Sequence, residues 1–310
     1  MQVVVGIATA GRRDQLPLTL RQIKKLSPPP DKIVFAVPDP QDADEEALRA
    51  IEPNVEILIA ERGLCSQRNA IVRHVADSDV LVFFDDDYYP APNYIGLVRE
   101  IMTRFPDVAA VTGHPRLDGA RGPGVSHEDA LLECEKPPEP VPDDFALNPT
   151  YGAYGCNMAL RTKTLVANEL FFDERLPLYG WLEDLELSRR AARFGRVVES
   201  RFLQGVHLGV KAGRQPGMRL GYSQIANPYY MVRKGSMEPK VALRFVSRNV
   251  AGNMLRSFRP EPWVDRRGRV LGNALAAYHL VQGRIDPMNV MTLKKTSPQS
   301  WRELVSLVRN

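Results

Sequence analysis

Over the first 110 residues, short runs of β-branched and aromatic residues alternate with stretches whose apolar positions return every three or four residues. The first pattern suits a strand buried within a sheet, and the second a helix that buries one stripe. The alternation therefore predicts an α/β layer with a largely parallel sheet flanked by helices. Strands are expected at 2–8, 32–37, 55–60, 80–84 and 108–113, and helices at 14–26, 43–51, 64–76 and 92–105. Val80-Leu-Val-Phe-Phe84 has no polar position and is bounded by Asp79 and Asp85, as expected of a central strand covered on both faces.

The pattern changes at 114. Prolines at 115, 123, 137, 138, 140, 142 and 149 and glycines at 119, 122 and 124 predict a long irregular connection as far as 150, of the kind that forms lids or carries specificity. Beyond it, Gly155-Cys-Asn-Met-Ala-Leu-Arg161 reads as a strand and Leu182 to Phe194 as a helix. From 219 the chain reads as helical, with breaks near Gly235 to Pro239, Arg259 to Pro262 and Pro287. The expected organisation is a sheet domain over 1–215, divided into 1–113 and 114–215, followed by a helical region over 216–310.

Charge separates the same parts. Residues 1–200 carry 22 Lys and Arg against 32 Asp and Glu, whereas residues 201–310 carry 19 against 5, so the overall +4 conceals −10 and +14. A basic last third points to an anionic partner such as a phosphorylated substrate, a membrane leaflet or nucleic acid. Within it, Leu243, Val246, Val250, Met254 and Phe258 form an apolar stripe beside Lys240, Arg244 and Arg248, predicting a basic amphipathic helix over 240–258. That pattern fits a helix on an anionic membrane and equally a core-packing helix with snorkelling cations. No apolar run reaches the roughly 18 residues of a membrane span, and the apolar start ends at Arg12 and Arg13, too short and in the wrong order for a secretory signal. Cys65, Cys134 and Cys156 lack metal-ligand spacing and are expected to be reduced thiols of a cytoplasmic protein.

Three groups carry chemistry. Asp85-Asp86-Asp87 follows the buried run, where like charges raise one another's pKa unless something neutralises them. A hard divalent cation, Mg²⁺ or Mn²⁺, would do so and would bridge to phosphates, and the carboxyl edge of an open α/β sheet is where ligands bind. The competing reading is a solvated acidic turn before the helix near Pro92. Glu183, Asp184 and Glu186 crowd a helix start beside Gly180 and Trp181, which suits the helix dipole or a general base facing an acceptor hydroxyl. His207, with Lys211 and Arg214, lies in a glycine-rich stretch read as a flexible loop, offering an imidazole for metal and cations for phosphate, or a plain basic surface.

Taken in order, Val3-Val-Val-Gly-Ile-Ala-Thr9, Arg62-Gly63, Ser66-Gln-Arg-Asn69, Phe84-Asp-Asp-Asp-Tyr-Tyr-Pro90, Gly155 to Arg161 and Trp181-Leu-Glu-Asp184 resemble family 2 glycosyltransferases of the GT-A fold over about residues 2–215. The resemblance implies an inverting, Mn²⁺- or Mg²⁺-dependent transfer of a sugar from a nucleoside-diphosphate sugar, with UDP the expected carrier, to a hydroxyl of a glycan; a basic helix resting on a membrane would make the acceptor a lipid-linked glycan of bacterial polysaccharide biosynthesis. The resemblance also implies that Ala8 and Thr9 line the base pocket, that Arg12, Arg68, Asp85 and Asp86 belong to the donor site, and that Asp87 and His207 hold the metal. Asp184 matches the catalytic base, Trp181, Glu183 and Asn157 fall on the acceptor side, and Lys211 and Arg214 close over the phosphates. Val37-Pro-Asp-Pro-Gln41 departs from the family's Asp-Asp-Gly-Ser type, so Asp39 is assigned to the base edge without fixing the base. A nucleotidyltransferase would also use carboxylates and metal, but Gly6 to Gly11 makes a poor phosphate loop. A nucleic-acid-binding module accounts for the basic third but not for the acids, and no helix-turn-helix, zinc or RNA-binding signature is present.

Overall fold

The computed structural model describes residues 1–211 and 216–293. Arg214, expected at the donor phosphates, lies outside the described residues. The chain forms two compact units, Met1–Phe172 with Leu187–Gly213, and Asp173–Glu186 with Arg214–Asn310.

The first unit alternates β1 (Val3–Ala8), α1 (Gln15–Ile23), β2 (Lys32–Val37), α2 (Glu45–Ile51), β3 (Glu56–Ile59), α3 (Leu64–His74) and β4 (Val80–Phe84). It continues through β5 (Tyr88–Pro90), α4 (Tyr94–Arg104), β6 (Val108–Asp118), α5 (His127–Glu135), β7 (Asn148–Pro149), β8 (Asn157–Arg161) and α6 (Thr162–Ala167). After α7 (Glu183–Ala191), which starts in the second unit, β9 (Arg196–His207) completes it.

The nine strands make one sheet in the order β3-β2-β1-β4-β8-β6-β9-β5, with β7 paired to β9. β1 to β4 are parallel, β8 runs against β4 and β6, β9 runs with β6, and β5 and β7 run against β9. Six of the nine strands (β1, β2, β3, β4, β6 and β9) therefore share one direction, giving the mostly parallel α/β sheet expected. β1 and β4 sit side by side at its middle, and their β-branched and aromatic residues are buried on both faces. Adjacent parallel strands end at the same edge, so Thr9 and Asp86 emerge as neighbours.

The stretch 114–150 is more regular than its prolines predict. Its first residues extend β6 to Asp118, and Ser126 caps α5 by accepting a hydrogen bond from the Asp129 N–H. β9 was not expected as a strand at all, and it supplies the partner that β6 needs. His207 is consequently the last residue of a buried strand, not a member of a flexible loop.

The second unit is built on α8 (Gly217–Lys234), α9 (Pro239–Arg256) and α10 (Arg266–Val281). α8 and α10 approach backbone to backbone through Gly221 and Gly272; a Cβ at Gly272 would stand 2.0 Å from the Met218 carbonyl oxygen. Buried amides of Gln224, Asn253 and Asn273 bond to one another and fix the helix register. The apolar stripe predicted on α9 divides. Val246 and Val250 pack on Tyr222, Ile225 and Ala276, while Leu243 and Met254, with Phe258 just past the helix, stay 69%, 55% and 84% exposed.

Candidate active site

After β4 the chain turns tightly, the Asp85 carbonyl accepting from the Tyr88 N–H, so that three carboxylates meet the end of β1. Asp86 points inward. The Thr9 hydroxyl donates to its Oδ2 at 2.5 Å and Arg12 Nη1 to its Oδ1 at 2.6 Å. Burial pushes the Asp86 carboxyl up to about 6, an effect the Arg12 charge only partly offsets, and Asp87 adds to it. Thr9, Arg12 and Asp86 thus tie the loop after β1 to the turn after β4. Asp85 is held from below by Arg68, whose Nη2 donates to Oδ1 at 3.1 Å and to the Gly155 carbonyl at 2.8 Å. The Arg68 guanidinium is itself buried, lying 5.3 and 5.4 Å from the ring centroids of Phe83 and Phe172.

β9 brings the histidine. It runs between β5 and β6 in a register that sets His207 opposite Tyr88 on one side and Asp118 on the other. His207 Nε2 lies 3.4 Å from Asp87 Oδ1 and 3.8 Å from Asp85 Oδ2, while its Nδ1 lies 2.9 Å from Asp118 Oδ1. Past the strand, Gly209 adopts φ +65°, a left-handed conformation, and the Val210 N–H then donates to Asp87 Oδ2 at 2.7 Å. Burial disfavours charge on His207, but its bonds to Asp118 and Asp87 outweigh this and raise its pKa. Burial likewise works against the Asp87 and Asp118 carboxylates; the His207 bond overcomes it in both, lowering Asp87 and holding Asp118 at about 2.

One ligand atom each from Asp85, Asp87 and His207 falls within 4.8 Å of the others. Octahedral Mg²⁺, with ligands at about 2.1 Å, places neighbouring ligands about 3 Å and opposite ones about 4 Å apart, so the cluster fits a cation of this size with little movement. Its donor set, two carboxylates and an imidazole, suits Mg²⁺ or Mn²⁺.

Other expected residues fall as follows. Ala8 is half-buried at the end of β1. Asp39 is exposed and caps a 3-10 turn, accepting from the Gln41 N–H. Lys211 Nζ donates to the Gly119 carbonyl at 2.7 Å. Asn157, expected on the acceptor side, is fully buried, accepting from the Thr112 hydroxyl and donating to Tyr88 Oη, so its amide ties β8 to β6 and β5. Asp118 was missed because it lies in the stretch whose prolines read as irregular.

In the second unit, the entry to α7 is strained, with Leu178, Gly180 and Leu182 at φ +60°, +62° and +75°. A leucine in that region costs about 1–3 kcal/mol and persists only where its surroundings enforce it, a common feature of functional loops. Here the Trp181 carbonyl accepts from Asn227 Nδ2 at 2.8 Å, and the indole meets Phe245 edge-on. Glu183 is buried and its N–H donates to the Gly180 carbonyl; Asp184 is half-exposed and Oδ1 accepts from the Leu185 N–H. Glu186 is fully buried against Lys234 at 2.7 Å, and Lys234 also meets Asp173 at 2.5 Å. Of the three acids at this helix start, Glu186 is thus an internal anchor, and Asp184 is the one open to solvent.

The sequence model described as Glycosyl transferase family 2 matches residues 4–166, more than half of the 310 residues. The chain belongs to this family. No curated protein matches it. Solved structures share the fold of this family 2 glycosyltransferase. One is the mannosyltransferase PcManGT from Pyrobaculum calidifontis in complex with GDP-Man and Mn²⁺, at 16% identity and TM-score 0.54, covering 94% of this chain and 85% of that one. Another is S. aureus TarS 1–349 in complex with UDP-GlcNAc, at 12% identity and TM-score 0.54, covering 92% of this chain and 84% of the other. The match to the family includes Asp85 to Asp87 and ends before Asp184 and His207.

Proposed function

We propose that this glycosyltransferase transfers a sugar, with inversion, from a UDP-linked nucleoside-diphosphate sugar to a hydroxyl of a glycan or lipid-linked glycan in bacterial polysaccharide biosynthesis. Residues 1–215 act as the catalytic domain and 216–310 as its helical extension. The reading rests chiefly on the convergence of Asp85, Asp87 and His207 beside Thr9 at the carboxyl edge of the sheet. That both PcManGT and TarS hold nucleotide sugars on the same fold supports it.

Asp87, His207 and Asp85 would hold Mn²⁺ or Mg²⁺, which when bound stabilises charge on the departing diphosphate. Thr9 and Ala8 line the base, Asp39 lies at its rim, and Arg12, Arg68 and Asp86 shape the donor site, Arg68 through Asp85 and Asp86 through Thr9. Lys211 and Arg214 provide cations for the diphosphate. Trp181 and Glu183 shape the acceptor side. Asp184 accepts the hydroxyl proton as the acceptor oxygen bonds to the anomeric carbon, and the bond from that carbon to the diphosphate oxygen breaks with its electron pair leaving on the nucleoside diphosphate.

A panel of nucleotide sugars incubated with and without Mn²⁺ tests the reaction class. Release of nucleoside diphosphate from one donor, accelerated at least about tenfold by the metal, is the expected outcome. Release of pyrophosphate from nucleoside triphosphates, with no sugar nucleotide consumed, would instead establish a nucleotidyltransferase.

We further place the protein in the cytoplasm, peripheral on the anionic face of the membrane. Leu243, Met254 and Phe258 are exposed in the same stretch as Lys240, Arg244 and Arg248, and cations near an anionic surface contribute about 1 kcal/mol each. Sedimentation should show binding to phosphatidylglycerol-containing vesicles and none to phosphatidylcholine alone, with loss at about 1 M salt, where screening acts over about 3 Å. Equal behaviour with both vesicle types would remove the membrane from this account.

A further inference from the structure

We infer that Asp118 is a positioning residue that orients His207 so that its Nε2 meets the metal held by Asp85 and Asp87. The inference rests on the metal reading of that cluster and adds to it a residue that touches neither donor nor metal.

The strand register supplies the first argument. β6 pairs with β9 as His114 with Gln204, Pro115 with Gly205, Leu117 with Val206 and Asp118 with His207, so one residue, Arg116, is skipped. Without that bulge the continued register would set Leu117 opposite His207. An extra residue in a strand re-aims the side chains that follow, and here it exchanges an apolar neighbour for a carboxylate at the imidazole.

The hydrogen bonds supply the second. Asp118 Oδ1 is fixed by the Ala120 N–H at 2.9 Å and lies 2.9 Å from His207 Nδ1, while Tyr154 Oη donates to Oδ2 at 3.2 Å. The carboxylate is therefore held from two sides and presents an acceptor to Nδ1. With Nδ1 committed to Asp118, Nε2 is the nitrogen that faces Asp87 Oδ1 at 3.4 Å and Asp85 Oδ2 at 3.8 Å, and a bound cation would take the place of the proton Nε2 shares with Asp87. A carboxylate behind a ligating histidine fixes tautomer and ring angle and makes the ligand more basic, and its loss typically weakens metal binding about 10–100-fold. The ring also stands edge-on to Tyr154 with centroids 5.9 Å apart, and Tyr154 Oη, bonded to the same carboxylate, lies 3.3 Å from Nδ1.

The test is Mn²⁺ affinity, measured on the full chain by electron paramagnetic resonance without nucleotide or turnover. Asp118→Ala is expected to weaken Mn²⁺ binding at least about tenfold, and Asp118→Asn, which keeps an oxygen acceptor but not the charge, by less. In a His207→Ala background, Asp118→Ala should cause no further loss, because its effect passes through the imidazole. Each protein's metal-free thermal midpoint separates these effects from misfolding, and Asp118→Asn remains informative if the alanine variant does not fold. Affinity within about twofold of the parent in both variants, or an equal loss with and without His207, would overturn the inference. A parent chain that binds no Mn²⁺ would overturn the metal reading itself.

Discussion

Asp184→Asn is expected to leave donor binding unchanged while lowering sugar transfer about 10³-fold. General bases contribute about 10²–10⁴ to rate, and an amide of the same shape removes the proton acceptor without removing volume. The substituted amide would still accept the Leu185 N–H through its oxygen, the bond that Asp184 Oδ1 makes at 2.7 Å. The buried Glu186–Lys234 pair anchors the helix independently of it. Loss in kcat with an unaltered donor Kd by calorimetry is therefore the signature. Turnover comparable to the parent would remove Asp184 from this role.

Asp87→Ala should abolish the metal-dependent part of donor binding, weakening the Kd in Mn²⁺ at least about 100-fold, or about 2.7 kcal/mol. Among the described residues the carboxylate meets His207, the Val210 N–H and Arg12, whose Nη1 lies 3.6 Å away. Alanine leaves these groups without their acceptor as well as removing a ligand, so Asp87→Asn is the necessary companion. It keeps an oxygen for Val210 and loses the charge. Calorimetry with nucleoside diphosphate, with and without Mn²⁺, should show that only the parent gains affinity from the metal. Unchanged affinity in the variants would refute the assignment.

What the chain reveals before folding depends on whether an element's reason is local. β1, β2 and β4 are apolar runs that bury themselves on both faces, so their limits are readable within a residue or two. The acids after β4 were visible for the same reason, because a charged triplet directly after a buried run has few structural explanations. β9 was not readable: Arg196, Glu199 and Arg201 interrupt its apolar residues, and what makes it a strand is pairing with β6 and β5, more than 70 residues earlier. Without β9 the glycines around His207 read as a loop, and neither its buried setting nor Asp118 beside it is visible in the sequence. Asn157 shows the converse limit, since its position in a recognisable strand was evident but its internal amide bonds were not.

The family match likewise ends at residue 166, before both β9 and α7, so the proposed roles of His207 and Asp184 rest on geometry and residue chemistry. On β9, two strand registers and three carboxylates surround one imidazole. On α7, Asp184 is half-exposed beside two buried acids, at the end of a strained loop.

The most direct measurement is an anomalous-scattering map from crystals grown with Mn²⁺ and a nucleoside diphosphate. The account predicts a manganese peak about 2.1 Å from Asp87 and from His207 Nε2, with the diphosphate completing the coordination. A manganese ion bound to the diphosphate elsewhere, with Asp87 and His207 still facing one another unbridged, would contradict it.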